Sequence, residues 1–204
     1  MKKLLFVAFV ATLCAFGGMA EDVPLPTPLP ASSVSGVDST RPPATFSEAD
    51  APYDGIWQPF EDGFKLYLPR GWTSMALDDA QAKAGLFYQA GSDDAAMSVA
   101  VGYMRAGTLE TTETLAGDFE RSGYTSVVQG DLNGIPAIAF ERPQDGYRGV
   151  AFFHPVYPEY VIYVFASPLE LQDGETNQIG IALLASVSPL EFSSRRASSP
   201  LGDG

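Results

Sequence analysis

Thr125–Pro155 reads TSVVQGDLNGIPAIAFERPQDGYRGVAFFHP, and its punctuation decides the fold. Asn133-Gly134 is the strongest two-residue hairpin signal a sequence can carry, because both central residues of that turn need positive φ. Pro143-Gln144-Asp145-Gly146 places proline early and glycine late, as a second tight turn does. Three antiparallel strands in a row result. The segment that follows, YVIYVFAS over Tyr160–Ser167, is apolar at every position up to Ala166, which marks a central strand covered on both faces.

The period-two pattern of strands continues upstream. DGIWQPF and GFKLYLP form a first hairpin, with Phe64, Leu66 and Leu68 on one face and Lys65 and Tyr67 on the other. Pro69 ends the strand because it has no N–H to give a neighbour. Gly71 allows a reversal, and Trp72 folds back as an apolar plug. GLFYQAG and AMSVAVGYM, joined by Ser92-Asp93-Asp94, form a second hairpin. TTETLAGDFERSGY, Thr111–Tyr124, switches to helical spacing: Leu115 and Phe119 lie one turn apart and Gly123 supplies the stop. A last helix is expected in DGETNQIGIALLASV, with Asp173 as N-cap and Ile179, Leu183 and Val187 one turn apart.

The termini differ from this middle. MKKLLFVAFVATLCAFGGMA has Lys2 and Lys3 ahead of an apolar run, then small residues at Gly18 and Ala20, the pattern of a secretory signal peptide over residues 1–20. The run is shorter than the roughly 20 residues a membrane span needs. Export to an extracytoplasmic compartment, periplasmic or secreted, is the expectation. The alternative is lipid anchoring through Cys14, against which stands Leu13, where a small residue is normal. Residues 21–52, rich in Pro, Ser and Thr, are expected to form a disordered arm. Residues 53–190 make a single domain, and 191–204 a polar, disordered tail containing Arg195 and Arg196.

Charge excludes one class of partner. The chain carries a net −13, and without Lys2 and Lys3 it holds 10 basic against 25 acidic side chains, a net −15. Such a surface repels phosphate backbones, so nucleic acid is a poor partner. No transmembrane span is expected in the mature chain. Cleavage after Ala20 would remove the only cysteine.

The element order, together with GFKLYLPRGW near the start and GYTSVVQGDLNGIPAIAF after the first helix, resembles the PsbP-like fold. That group includes the lumenal extrinsic subunit of photosystem II, DcrB-type bacterial envelope proteins and a yeast nuclear-import factor. The resemblance covers about Tyr53 to Leu190. It implies an α+β domain in which an antiparallel sheet of about 6–8 strands is sandwiched by helices in three layers. It also implies a non-enzymatic accessory or binding role. It supplies no active-site residue to carry over.

His154, the only histidine, lies at a strand end with no nucleophile-elbow motif in the chain, and reads as a partly exposed strand-end residue rather than a general base. Asp78-Asp79 and Asp93-Asp94 lack the alternating spacing of a calcium loop and read as solvated turn acids. One histidine cannot build an ordinary zinc site, and neither GxGxxG nor GxxxxGK occurs. Glu141 and Glu159 could face another acid across a cleft, but acids this common carry little information. Hence no catalytic, metal or cofactor residue is assigned, and no cofactor is expected. Among the aromatics, Phe153, Tyr163 and Phe165 are expected in the core. Tyr157 and Tyr160, in PVYPEY, are the candidate binding-surface residues. The expected function is an exported binding or accessory domain that contacts a protein or small ligand of the envelope. The rivals are an extracytoplasmic hydrolase whose site assembles only in three dimensions, and a weak calcium-binding module.

Overall fold

The computed structural model describes residues 45–170 and 174–190. The expected signal peptide, Cys14, most of the arm, Asp173 and the tail lie outside them. Ten strands and three α-helices follow in order: β1 Gly55–Phe60, β2 Phe64–Pro69, β3 Thr73–Ser74, α1 Asp79–Lys83, β4 Leu86–Gly91, β5 Ser98–Arg105, α2 Thr112–Arg121, β6 Thr125–Leu132, β7 Ile135–Arg142, β8 Tyr147–Phe153, β9 Tyr160–Ser167, α3 Glu175–Ala185 and β10 Ser188–Pro189.

The strands form a seven-stranded sheet, β3-β4-β5-β9-β8-β7-β6, and a three-stranded one, β1-β2-β10, with antiparallel pairing throughout. The protein is thus α+β and rich in antiparallel sheet. β9 lies between β5 and β8 at the middle of the large sheet, as its unbroken apolar run requires. Asn133 and Gly134 take φ of 53° and 96° in the β6–β7 turn. Thr111 caps α2 through a reciprocal bond pattern with Thr114, which satisfies N–H groups the first helical turn leaves orphaned.

The two faces of the large sheet are covered differently. Val99, Val101, Phe152, Ile162 and Val164 point to one face, where they pack with Phe60, Phe64, Leu66 and Leu68 of the small sheet and Leu183, Leu184 and Val187 of the C-terminal segment. Trp72 packs against this cluster, half-buried. Ala100, Ile138, Phe140, Val161, Tyr163 and Phe165 point to the other face, against Leu115, Ala116 and Phe119 of α2.

Four expectations are corrected. The first hairpin does not extend a single sheet; it makes a second one with β10, so one face is covered by strands together with a helix. The alternation of a strand fixes which side is apolar but not which sheet it joins. Residues 45–52, assigned to the arm, pack on the small sheet: Glu48–Asp50 forms a 3-10 turn, and the Phe46 ring lies 5.7 Å from that of Tyr67. Asp78 and Asp79 are not in a simple turn: Asp78 caps α1 in a capping box with Gln81, and the D-x-x-Q spacing was the signal. The cap position of α3 falls on Gly174, and Val187 lies beyond the helix end.

Candidate functional site

A sheet of seven strands spaced about 4.8 Å apart is nearly 30 Å wide. α2, at 10 residues, is only about 15 Å long. It packs on β6 and β7, whereas the 5-residue α1 packs on β4. Between them the middle of that face has no helix over it. The result is a hollow of about 490 Å³, bordered by Lys83 at the end of α1 and Ala84 beyond it, by residues 104–109 at the end of β5 and after it, and by Asp118 and Phe119 of α2.

Its wall is a continuous aromatic surface. Phe119, Tyr124, Phe140, Tyr147, Tyr163 and Phe165 all line it. Phe119 packs 4.7 Å from Tyr124 and 4.8 Å from Phe140. Tyr147 lies 5.1 Å from Phe165, which stacks on Tyr163 with an interplanar angle of 6°. Ring edges and faces at such separations attract through their quadrupoles. Tyr163 and Phe165 are therefore core residues, buried as expected, and they also face an opening. Their place in the core was readable from the apolar run of β9, but the missing cover above them was not.

The hydroxyls in this wall are engaged. Tyr163 Oη donates to the Ala84 carbonyl at 2.8 Å. Tyr147 Oη donates to Tyr124 Oη at 3.4 Å, and the guanidinium of Arg142 hydrogen-bonds both phenols. Arg142 itself is buried, 4.9 Å above the Tyr124 ring and 2.6 Å from Asp145 Oδ2. Burial first, and the neighbouring Tyr124 second, push the phenols of Tyr147 and Tyr163 well above their ordinary value of 10.0. Neither is a base near neutrality.

Tyr157 and Tyr160 lie elsewhere. Tyr157 is exposed on the loop before β9. Tyr160 is half-buried, edge-on to Tyr103 at 5.7 Å. It borders a shallower depression that shares Lys83, Met104 and Arg105 with the hollow. Tyr157 does not line that depression, and its carbonyl accepts the Tyr160 N–H at 2.9 Å.

His154 departs from its expected exposure, being 6% accessible. Its Nδ1 accepts the N–H groups of Val156 and Tyr157 at 3.0 and 3.1 Å, so the ring proton sits on Nε2, which donates to Asp62 Oδ1 at 3.2 Å. The side chain thus pins the 154–159 loop to the β1–β2 turn. It lines neither the hollow nor the depression. Asp94 accepts from Ser92 Oγ and Ala96 N–H within its turn. Glu141 pairs with Arg148 at 3.4 Å. Among the described residues no three His, Cys, Asp or Glu side chains gather to hold a metal ion, and no helix is long and apolar enough to cross a membrane.

No family model and no curated protein matches this chain. A crystal structure from Bacteroides thetaiotaomicron VPI-5482 aligns with a TM-score of 0.39 at 6% identity, over 63% of this chain and 46% of that one. The chain thus spans less than half the length of that neighbour.

Proposed function

We propose that this chain is an exported, non-enzymatic binding domain of the bacterial envelope that holds a small apolar molecule in the hollow between α2 and the large sheet. The observation that carries this reading is the roughly 490 Å³ aromatic-walled opening. Its volume lies within the range of small-molecule sites, which combine apolar walls with a few polar groups. A binding role without turnover is supported by the state of those polar groups. The phenol of Tyr163 is committed to a backbone carbonyl, those of Tyr147 and Tyr124 to each other and to Arg142, and His154 faces away toward Asp62. Placement of α2 on one face of the sheet and α3 on the other supports a PsbP-like layering. The signal-like N-terminus supports export.

N-phenyl-1-naphthylamine (NPN), a neutral two-part aromatic, tests the site. Its fluorescence should rise on binding, and at a hundredfold excess over Kd it should stabilise the fold by about 2.7 kcal/mol. Ala106, buried beside the hollow, offers a blocking variant: Ala106→Trp should abolish NPN binding while the melting temperature holds, because the added indole enters existing space. If the variant binds NPN as the parent does, the ligand sits elsewhere and the reading fails.

A further inference from the structure

The described residues include seven lysines and arginines. Arg70, Arg121, Arg142 and Arg148 each lie within 3.4 Å of a carboxylate oxygen, on Asp54, Asp118, Asp145 and Glu141 respectively. Lys65 sits 4.3 Å over the Trp57 ring. Lys83 and Arg105 remain, exposed and without a carboxylate partner among the described residues. Both border the hollow. In a chain of net charge −13, where acids outnumber bases about two to one, the two described cations without a carboxylate or ring partner share one mouth. The acid at the same rim, Asp118, is already engaged by Arg121 at 3.2 Å.

We infer that the hollow selects a small aromatic monoanion, a flat apolar body carrying one carboxylate-like group, with the body against the rings and the negative group at Lys83 and Arg105. This rests on the binding role proposed above and adds the charge of the ligand. The guanidinium of Arg105 offers a planar fork of donors that matches a carboxylate, and Lys83 adds a mobile point charge. Inside, the apolar wall gives a second charge nothing to pair with, so one anionic group at the rim is the composition that leaves no buried charge unsatisfied. The protein's overall negative field sets itself against polyanions and anionic membrane surfaces, which leaves a singly charged small molecule as the occupant.

Two probes separate the charge from the rings. NPN and 8-anilinonaphthalene-1-sulfonate (ANS) share their aromatic framework and differ by one sulfonate. ANS should bind the parent about tenfold more tightly than NPN, and raising NaCl from 0.1 to 0.5 M should weaken ANS alone. Lys83→Ala/Arg105→Ala should cost ANS about tenfold, the worth of two exposed charge contacts, and leave NPN within twofold. The end of a helix favours a cation at position 83 in any case, so Arg105→Ala alone is the more telling arm, and it should account for at least half of the loss in free energy. NPN binding that is blocked by Ala106→Trp, with ANS no tighter and indifferent to both substitutions, overturns the anion preference and leaves the binding role standing. Failure of both probes to bind the parent overturns the two together.

Discussion

Tyr163 serves two structural ends. Its ring lies across Gly102, its register partner on β5, where a Cβ would come within 2.5 Å of the ring; its hydroxyl holds the carbonyl after α1. Tyr163→Phe removes only the second function. It should lower stability by about 1 kcal/mol, the net worth of one such bond, read as a shift in urea midpoint with unchanged slope. A shift of several kcal/mol would mean the ring itself had moved. The sequence showed Tyr163 as an apolar position on a central strand, which is correct, but a glycine inside a strand shows no sign of the ring that will cover it. His154 was legible as a strand-end residue and illegible as a buried one. Its partner Asp62 is 92 residues away, and hydrophobic periodicity carries no information about a polar contact at that separation.

Among the elements, the β6–β7 turn does more than reverse the chain. Asn133 Oδ1 accepts the Phe46 N–H at 2.6 Å, and Nδ2 donates to the carbonyls of Ala185 and Val187 at 2.9 and 2.7 Å. One side chain thus ties the hairpin to the N-terminal segment and to the end of α3. Asn133→Asp keeps a residue that tolerates positive φ but replaces the amide donor by an oxygen facing two carbonyls. It should cost about 2–4 kcal/mol, measured by chemical denaturation. A cost under 0.5 kcal/mol would show that the turn alone explains the asparagine. The turn itself, the three-strand meander, the second hairpin and α2 were all readable, because each rests on contacts between near neighbours in the chain. The separate small sheet was not, since β10 is two residues long and meets β2 across more than a hundred positions. The short α1 could have been found from its capping box, whose two polar residues lie three apart.

For the molecule as a whole, the buried phenols set an alkaline limit. The pKa values of Tyr147 and Tyr163 are raised in the folded state, chiefly by burial. Below pH 10 both folded and unfolded chains keep these protons and stability is unaffected. Above pH 10 the unfolded chain sheds them and the folded one does not, so stability falls, by up to about 1.4 kcal/mol per pH unit for each group. Urea midpoints at pH 9, 10.5 and 11.5 should decline on this course, and Tyr163→Phe should flatten it; an unchanged slope in the variant would assign the decline to other groups. The hollow is likewise a property of the whole, arising because two short helices cannot cover a sheet seven strands wide. No stretch of sequence contains it, and the lack of a carboxylate partner at its rim cations Lys83 and Arg105, among the described residues, is equally invisible until the carboxylates are placed. Intermolecular NMR contacts between bound NPN and assigned ring protons address it without a variant. Contacts to Phe119, Tyr124, Phe140 and Tyr163 place the ligand under α2 as described; contacts confined to Tyr157, Tyr160 and Tyr103 would put binding on the outer surface and leave the hollow without a role.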